Sequence, residues 1–345
     1  MKRILKAVLA LSLSAAAAAA QTPEGAGKPA QDSAQESAAK ETPGLAEATR
    51  LNAEVVRLYA EGKYAEALPA AARVLELREK EQGPAHPSVG GALVNLAAVE
   101  ANLGKTSEAR GHYRRAATLL EKAGDDAART LISAVEGLAR LEGDIRAAVE
   151  LHKRALALKE KAYGPESRQA ALSHFQLAYF AELRGDNDEA GRRLLRYAEI
   201  AEKTKGGSED DLAVAYTRLA CIQRRQGKRD EAAGSDARAD EIFTSASEKR
   251  QPLDGGVLNG KAVSKAQPFY PAEAKRARAQ GTVTVEIIIG ETGVVLSACA
   301  QKSDRDPSLK RASELAAYRA RFTPTYVNGK PVKVRGVITY NFVLQ

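Results

Sequence analysis

The stretch QPFYPAEAKRARAQGTVTVEIIIG, Gln267 to Gly290, changes from one backbone rhythm to another within 24 residues. Pro268 and Pro271 bias the residues before them away from helix, so Gln267-Pro268-Phe269-Tyr270-Pro271 reads as an extended entry. Ala272 to Ala279 is made of helix formers and is long enough for two turns, and Gly281 stops it. From Thr282 the period becomes two. Val283, Val285, Ile287 and Ile289 point one way, and Thr282, Thr284, Glu286 and Ile288 point the other, which is a half-buried strand of β-branched residues.

The residues beyond it complete a small α+β domain. Glu291-Thr292-Gly293 is a hairpin turn, and Val294 to Ala300 a second strand. Asp306-Pro307 opens a helix with an N-cap acid and a proline at the first helical position. Leu309, Ala312, Leu315 and Ala316 form its apolar stripe. Asn328-Gly329 is another turn. Val332, Val334, Ile338, Tyr340, Phe342 and Leu344 alternate along a long last strand, interrupted on that face by Gly336. The simplest assembly is two helices on one face of a three-stranded antiparallel sheet.

Upstream, residues 45–247 are repetitive. Gly62, Gly104, Gly143, Gly185 and Gly227 lie 42, 39, 42 and 42 residues apart. Each is followed five residues later by alanine: Ala67, Ala109, Ala148, Ala190 and Ala232. The strings GKYAEA, GKTSEA, GDIRAA, GDNDEA and GKRDEA place a helix-ending glycine and a small residue at a close helix crossing, the mark of an all-α solenoid of about five helix pairs. Asp236 stands where a bulky apolar residue is usual, so the last helix of the array reads as a polar cap. Residues 248–263 are polar, glycine-rich and form the joint between domains. Val257-Leu258 and Ala262-Val263 are candidates for a short edge strand, which the sequence leaves open.

Two resemblances follow. Tyr270-Pro271, Gly281, Gly293, Phe322, Pro324, Gly329-Lys330-Pro331-Val332 and Phe342 fall in the order found in the C-terminal domain of TonB and TonB-like proteins. The likeness covers roughly Gly256 to Gln345, and the domain proper is 264–345. The repeats resemble the tetratricopeptide (TPR) family in its 42-residue, kinesin-light-chain variety. Gly83-Pro84-Ala85-His86-Pro87 and Gly164-Pro165-Glu166-Ser167 match that variety's inter-repeat turn. The TonB resemblance implies an interaction domain that takes a short N-terminal "box" peptide of outer-membrane transporters by strand addition, and a place in energy transfer from an inner-membrane motor.

Residues 1–20 read as a secretory signal: Met-Lys-Arg-Ile-Leu-Lys, a charge-free run from Ala7 to Ala20, and small residues before Gln21. Export implies a periplasmic chain. An uncleaved segment would instead anchor it in the inner membrane. Residues 21–44 are poor in apolar residues and read as a disordered linker, too short for the long spacer of TonB. The formal net charge is +8. Residues 256–345 carry 14 basic and 6 acidic residues and residues 1–255 carry 38 of each, so the excess belongs to the C-terminal part. That suits an anionic partner such as an acidic peptide or peptidoglycan. Nucleic acid is not expected, because no aromatics are interleaved with the basic residues. Cys221 and Cys299 belong to different expected domains and read as two independent buried thiols; a bridge would require the domains to dock.

No catalytic or metal constellation stands out. Gly104-Lys105-Thr106 lacks the first glycine of a phosphate loop, since Val99 takes its place. His86, His112, His152 and His174 have no metal-ligand spacing. No enzyme activity and no cofactor are expected. Binding has a basis in both parts. Asn95, His174 and Arg218 are the expected lining of the TPR inner surface. In the C-terminal domain the TonB resemblance points to Gln267, Pro268, Phe269, Tyr270 and Pro271, with Val337, Thr339, Tyr340 and Asn341 on the edge strand; core packing is the other reading of Tyr270 and Phe269, and the two are compatible. The expected function is a protein-binding adaptor of the periplasm. The alternatives are a TonB-type energy transducer with an atypical anchor and a peptidoglycan-binding envelope protein. A homodimer through paired strands is a further option.

Overall fold

The computed structural model describes residues 42–204, 209–245, 252–258, 262–301 and 306–344. The expected signal and most of the linker lie outside these residues. Two compact units divide the chain, one ending at Ala162 and the other running from Tyr163 to Gln345.

The first unit holds helices α1 (Pro43–Ala60), α2 (Tyr64–Gln82), α3 (Pro87–Asn102), α4 (Thr106–Leu120), α5 (Ala128–Leu141) and α6 (Ile145–Tyr163), whose last residue opens the second unit. Thr42 caps α1 with its side chain, and Pro43 takes the first position, so the helix begins two residues before the expected boundary. The periodic alanines explain the pairing. Ala67, Ala109 and Ala148 are fully buried, where the second helix of each pair starts against the first. Tyr113 fills the space between pairs, and Gly137 lets its ring through: a Cβ there would lie 2.4 Å from Tyr113 Cζ. Small-to-large change at such contacts costs about 1–3 kcal/mol.

The second unit opens with α7 (Arg168–Arg184), α8 (Asn187–Thr204), α9 (Glu209–Arg225) and α10 (Arg229–Ser245). Gly185 ends α7 in the left-handed conformation, its N–H directed at Ala181 O and Glu182 O, a close that glycine makes without Cβ strain. The β-rich part follows: β1 (Leu253–Val257), β2 (Ala262–Ser264), α11 (Ala272–Arg276), β3 (Gly281–Ile289), β4 (Val295–Ala300), α12 (Pro307–Tyr318), β5 (Arg321–Phe322), β6 (Thr325–Val327), β7 (Lys330–Val332) and β8 (Val334–Phe342).

Among the described residues the main sheet has the order β1-β8-β3-β4. Its three antiparallel strands are the expected ones. The fourth, β1, comes from the joint and lies parallel to β8. Two short pairs, β2–β5 and β6–β7, flank it. Val283, Val285, Ile287, Ile338, Tyr340 and Phe342 form the core with Ala274 of α11 and Leu309, Ala316 and Ala317 of α12. Helix α11 is shorter than expected. It ends at Arg276, and Arg278 at φ 50° turns the chain before Gly281 is reached. Asp306 caps α12 through Ser308 N at 2.8 Å.

The second face of the sheet is covered by the last helix pair. Ile288 is buried with Leu219, Ile242 and Phe243. Helix α10 is therefore no polar cap. Asp236 pairs with Arg224 at 2.5 Å, while Ala239, Ile242 and Phe243 turn inward. This docking corrects the reading of the cysteines: Cys221 of α9 and Cys299 of β4 form a disulfide, with Cα atoms 5.8 Å apart.

Candidate functional site

The candidate site is the outer edge of β8. An antiparallel strand offers backbone groups alternately to its two sides. Leu253 N donates to Lys333 O at 2.9 Å and Leu258 N to Val337 O at 2.8 Å, so odd-numbered positions of β8 look away from β3. Val337, Thr339 and Asn341 thus belong to the edge. Tyr340 does not: its side chain is buried in the core and its backbone faces β3.

Much of this edge is already engaged. Strand β1 runs along it with Leu253 opposite Val334, Asp254 opposite Arg335 and Val257 opposite Val337. Past β1, Lys265 Nζ donates to Thr339 O at 2.7 Å and sits 4.7 Å from the centre of the Tyr340 ring. Burial lowers the Lys265 pKa. Gly336 explains the gap noted in the apolar face. A Cβ there would lie 2.5 Å from Leu258 Cδ1 and 2.7 Å from Gly256 O. Leu258 fills the gap and is buried.

The proline-flanked entry lies toward the other end of β8, at Phe342. Tyr270 packs edge-on against Phe342 at 5.3 Å, and its hydroxyl donates to Ala279 O at 2.5 Å. Both contacts hold it against the sheet. Phe269 is different, with 81% of its surface exposed. Gln267 is exposed and Pro268 half-buried. The opposite edge strand, β4, is tied down: Cys299 is bridged, and Ala300 N donates to Glu314 Oε1 at 2.9 Å.

None of the three residues expected on a TPR inner surface is openly exposed. Asn95, in the first unit, is half-buried and donates to Asn52 Oδ1 at 2.8 Å. His174 is buried beside Arg193 Nη1, at 3.0 Å from its Nδ1. Burial, then Arg193 and Arg196, push its pKa down to about 4. Arg218 is 3% exposed. Its Nε donates to Glu182 Oε1 at 2.9 Å, and its guanidinium lies 4.6 Å from the Phe175 ring centre. Tyr318 of α12 donates to the other oxygen of Glu182 at 3.0 Å, and Arg225 pairs with Glu314 of α12 at 2.8 Å. These are the polar bolts that join α7 and α9 to α12. Sequence reasoning missed Glu182 and Glu314. The available signal was acids on otherwise apolar helix faces: Glu182 meets Arg218 of the next repeat, whereas Glu314 meets Arg225 from a segment far earlier in the chain.

One group of possible metal-ligand atoms occurs among the described residues, Cys221, Cys299 and Glu314. Its two sulfurs are bonded to each other, so no thiolate remains there to hold an ion.

With the edge and its flanking aromatics in place, comparison with known proteins becomes informative. Residues 266–344 match the family model of the Gram-negative bacterial TonB protein C-terminal. Residues 46–122 match a tetratricopeptide repeat model. The TonB-like part is 35% identical over 77 residues to Protein TonB of Xanthomonas campestris pv. campestris, in both strain B100 and strain ATCC 33913. That match covers 22% of this chain and 34% of each relative, so the chain spans about a third of the length of these TonB proteins. The helical part resembles the nearly identical TPR-like repeats of a kinesin-light-chain-type protein from Podosopora anserina (TM-score 0.50, 21% identity, 60% of this chain and 99% of that one). It also resembles the apo form of RapI (TM-score 0.52, 15% identity, 60% of this chain and 56% of that one). At these identities the likeness shows the fold of the helical part, TPR repeats, and the family model marks the part that follows as TonB-like. Both are non-catalytic interaction modules.

Proposed function

We propose that the chain is a periplasmic adaptor, whose TPR repeats hold one protein partner while its TonB-like domain takes an extended peptide of a second by strand addition. The observation that supports this most is the edge of β8. It accepts a parallel strand through backbone hydrogen bonds at Lys333 O and Val337 O, with a shift of register between Asp254 and Val257, the interaction on which strand-addition recognition rests. Phe269, next to the Tyr270 that packs on Phe342, stands exposed toward the far end of β8 as an apolar contact for the peptide. The match to TonB makes the extended N-terminal segment of an outer-membrane transporter the preferred ligand. A disulfide suits an oxidising compartment such as the periplasm.

Energy transduction is the second reading, favoured by the 35% identity to TonB. It requires an anchored N-terminus, and the expected signal lies outside the described residues. Among the described residues no helix is long and apolar enough to cross a membrane. The excess of positive charge in the C-terminal part keeps peptidoglycan as the third ligand class.

Titration of the purified chain with synthetic N-terminal segments of outer-membrane transporters, and in parallel with isolated peptidoglycan, tests the reading. Saturable peptide binding without sedimentation on peptidoglycan is expected. Peptidoglycan binding with no peptide binding would replace the adaptor with an envelope-binding protein.

A further inference from the structure

We infer that residues 253–258 are a built-in occupant of the peptide edge, exchangeable for a partner peptide of the same side-chain pattern. The inference rests on the strand-addition reading above and adds its regulation and its ligand chemistry.

Three observations carry it. First, Leu253-Asp254-Gly255-Gly256-Val257-Leu258 occupies β8 as a ligand would, along the outer edge and through backbone bonds to Lys333 O and Val337 O. Second, its hold is concentrated in one side chain. Leu258 is buried in the gap above Gly336, whereas Leu253 and Val257 remain exposed. Third, the segment meets steric limits that a ligand would share. A Cβ on Gly255 would lie 2.6 Å from Val334 Cγ1, and Gly256 has φ 59°. Side chains are poorly tolerated at both places.

The partner peptide is therefore extended and parallel to β8. It carries small residues at the places of Gly255 and Gly256, just after the pair opposite Val334 and Arg335, and a leucine-sized aliphatic residue two or three positions later, for the gap above Gly336. Lys265, on the Thr339 carbonyl, extends the self-occupied edge by one more acceptor. A partner must displace both elements to use the whole strand, so the free chain is held in a low-affinity state.

The probe is a fluorescein-labelled Leu-Asp-Gly-Gly-Val-Leu peptide, titrated by anisotropy into the full chain. Gly256→Val weakens the internal strand through its positive φ, and no neighbour lies within 4 Å of the added Cβ. We expect the peptide to bind this variant about tenfold more tightly than the unaltered chain, the size of a left-handed backbone penalty. Adding Gly336→Val should abolish binding. In the unaltered chain the Leu258 amide should exchange with solvent far faster than the amides shared by β3 and β8. Equal affinity in both proteins, no binding to either, or equally slow exchange at Leu258 would overturn the inference. If this peptide binds as expected but transporter segments do not, the exchange stands and the transporter reading falls. If transporter segments bind both proteins equally, the adaptor reading stands and the exchange falls.

Discussion

Cys221 on α9 is bonded to Cys299 on β4 across a sequence separation of 78 residues, which ties the last TPR helix pair to the TonB-like sheet. Closing a loop of this length stabilises by about 4.5 kcal/mol in the chain-entropy account. Replacing both cysteines by alanine should lower the urea midpoint of the second unit accordingly. Peptide mapping without reductant should recover the two segments as one linked species. Two free thiols in the native protein would contradict the docking described here.

Glu182 holds Arg218 and Tyr318 in a buried cluster. Glu182→Gln leaves the guanidinium without its carboxylate, and such half-removal of a buried pair costs about 3–5 kcal/mol. Glu182→Gln combined with Arg218→Met should recover most of that loss, because no buried charge is then stranded. Equilibrium unfolding followed by tyrosine fluorescence measures both, since the chain has 11 tyrosines and no tryptophan.

Burial pushes the pKa of both His174 and His152 down to about 4. The unfolded chain therefore binds more protons than the native one between pH 6.5 and 4. Their contribution is complete above the unfolded value and is lost as pH falls through that window, on the order of 3 kcal/mol for each histidine. His174→Gln should flatten this part of the stability profile for the second unit, and His152→Gln for the first. An unchanged profile in either variant would place the titration elsewhere.

The periodic alanines make a simple contrast. Ala67→Leu, at a fully buried helix crossing, should cost about 1–3 kcal/mol. Ala65→Leu, two residues earlier and exposed, should fall within about 0.5 kcal/mol of the parent. Thermal unfolding of the two variants side by side measures the difference.

Most of the architecture is legible in the sequence, because it is local. The glycine–alanine spacing reports one helix crossing after another, and the run from Val283 to Ile289 reports one buried strand face. What stays hidden depends on docking between segments distant in sequence. Ile288 and Cys299 gain their burial from α9 and α10, and Arg218 looks like a surface residue until Glu182 and Tyr318 enclose it. The stripe expected on α12 shows the same effect. Ala312 and Leu315 are only half-buried, while Ser313 and Glu314 are buried, because the helix is covered on two sides. The candidate site is legible in part. The TonB resemblance points to Phe269, Val337, Thr339, Tyr340 and Asn341, and the alternation of β8 separates the outward positions Val337, Thr339 and Asn341 from Tyr340, which faces the core. A strand supplied by the glycine-rich joint has no periodic signal of its own.

The most direct test of the adaptor account is a photo-crosslinker placed at Phe269 in the full chain and activated in living cells, with the adduct mapped by mass spectrometry. The account predicts an adduct to the extended N-terminal segment of an outer-membrane protein, lost when Gly336→Val closes the edge. Adducts confined to this chain or to peptidoglycan, unaffected by Gly336→Val, would contradict it.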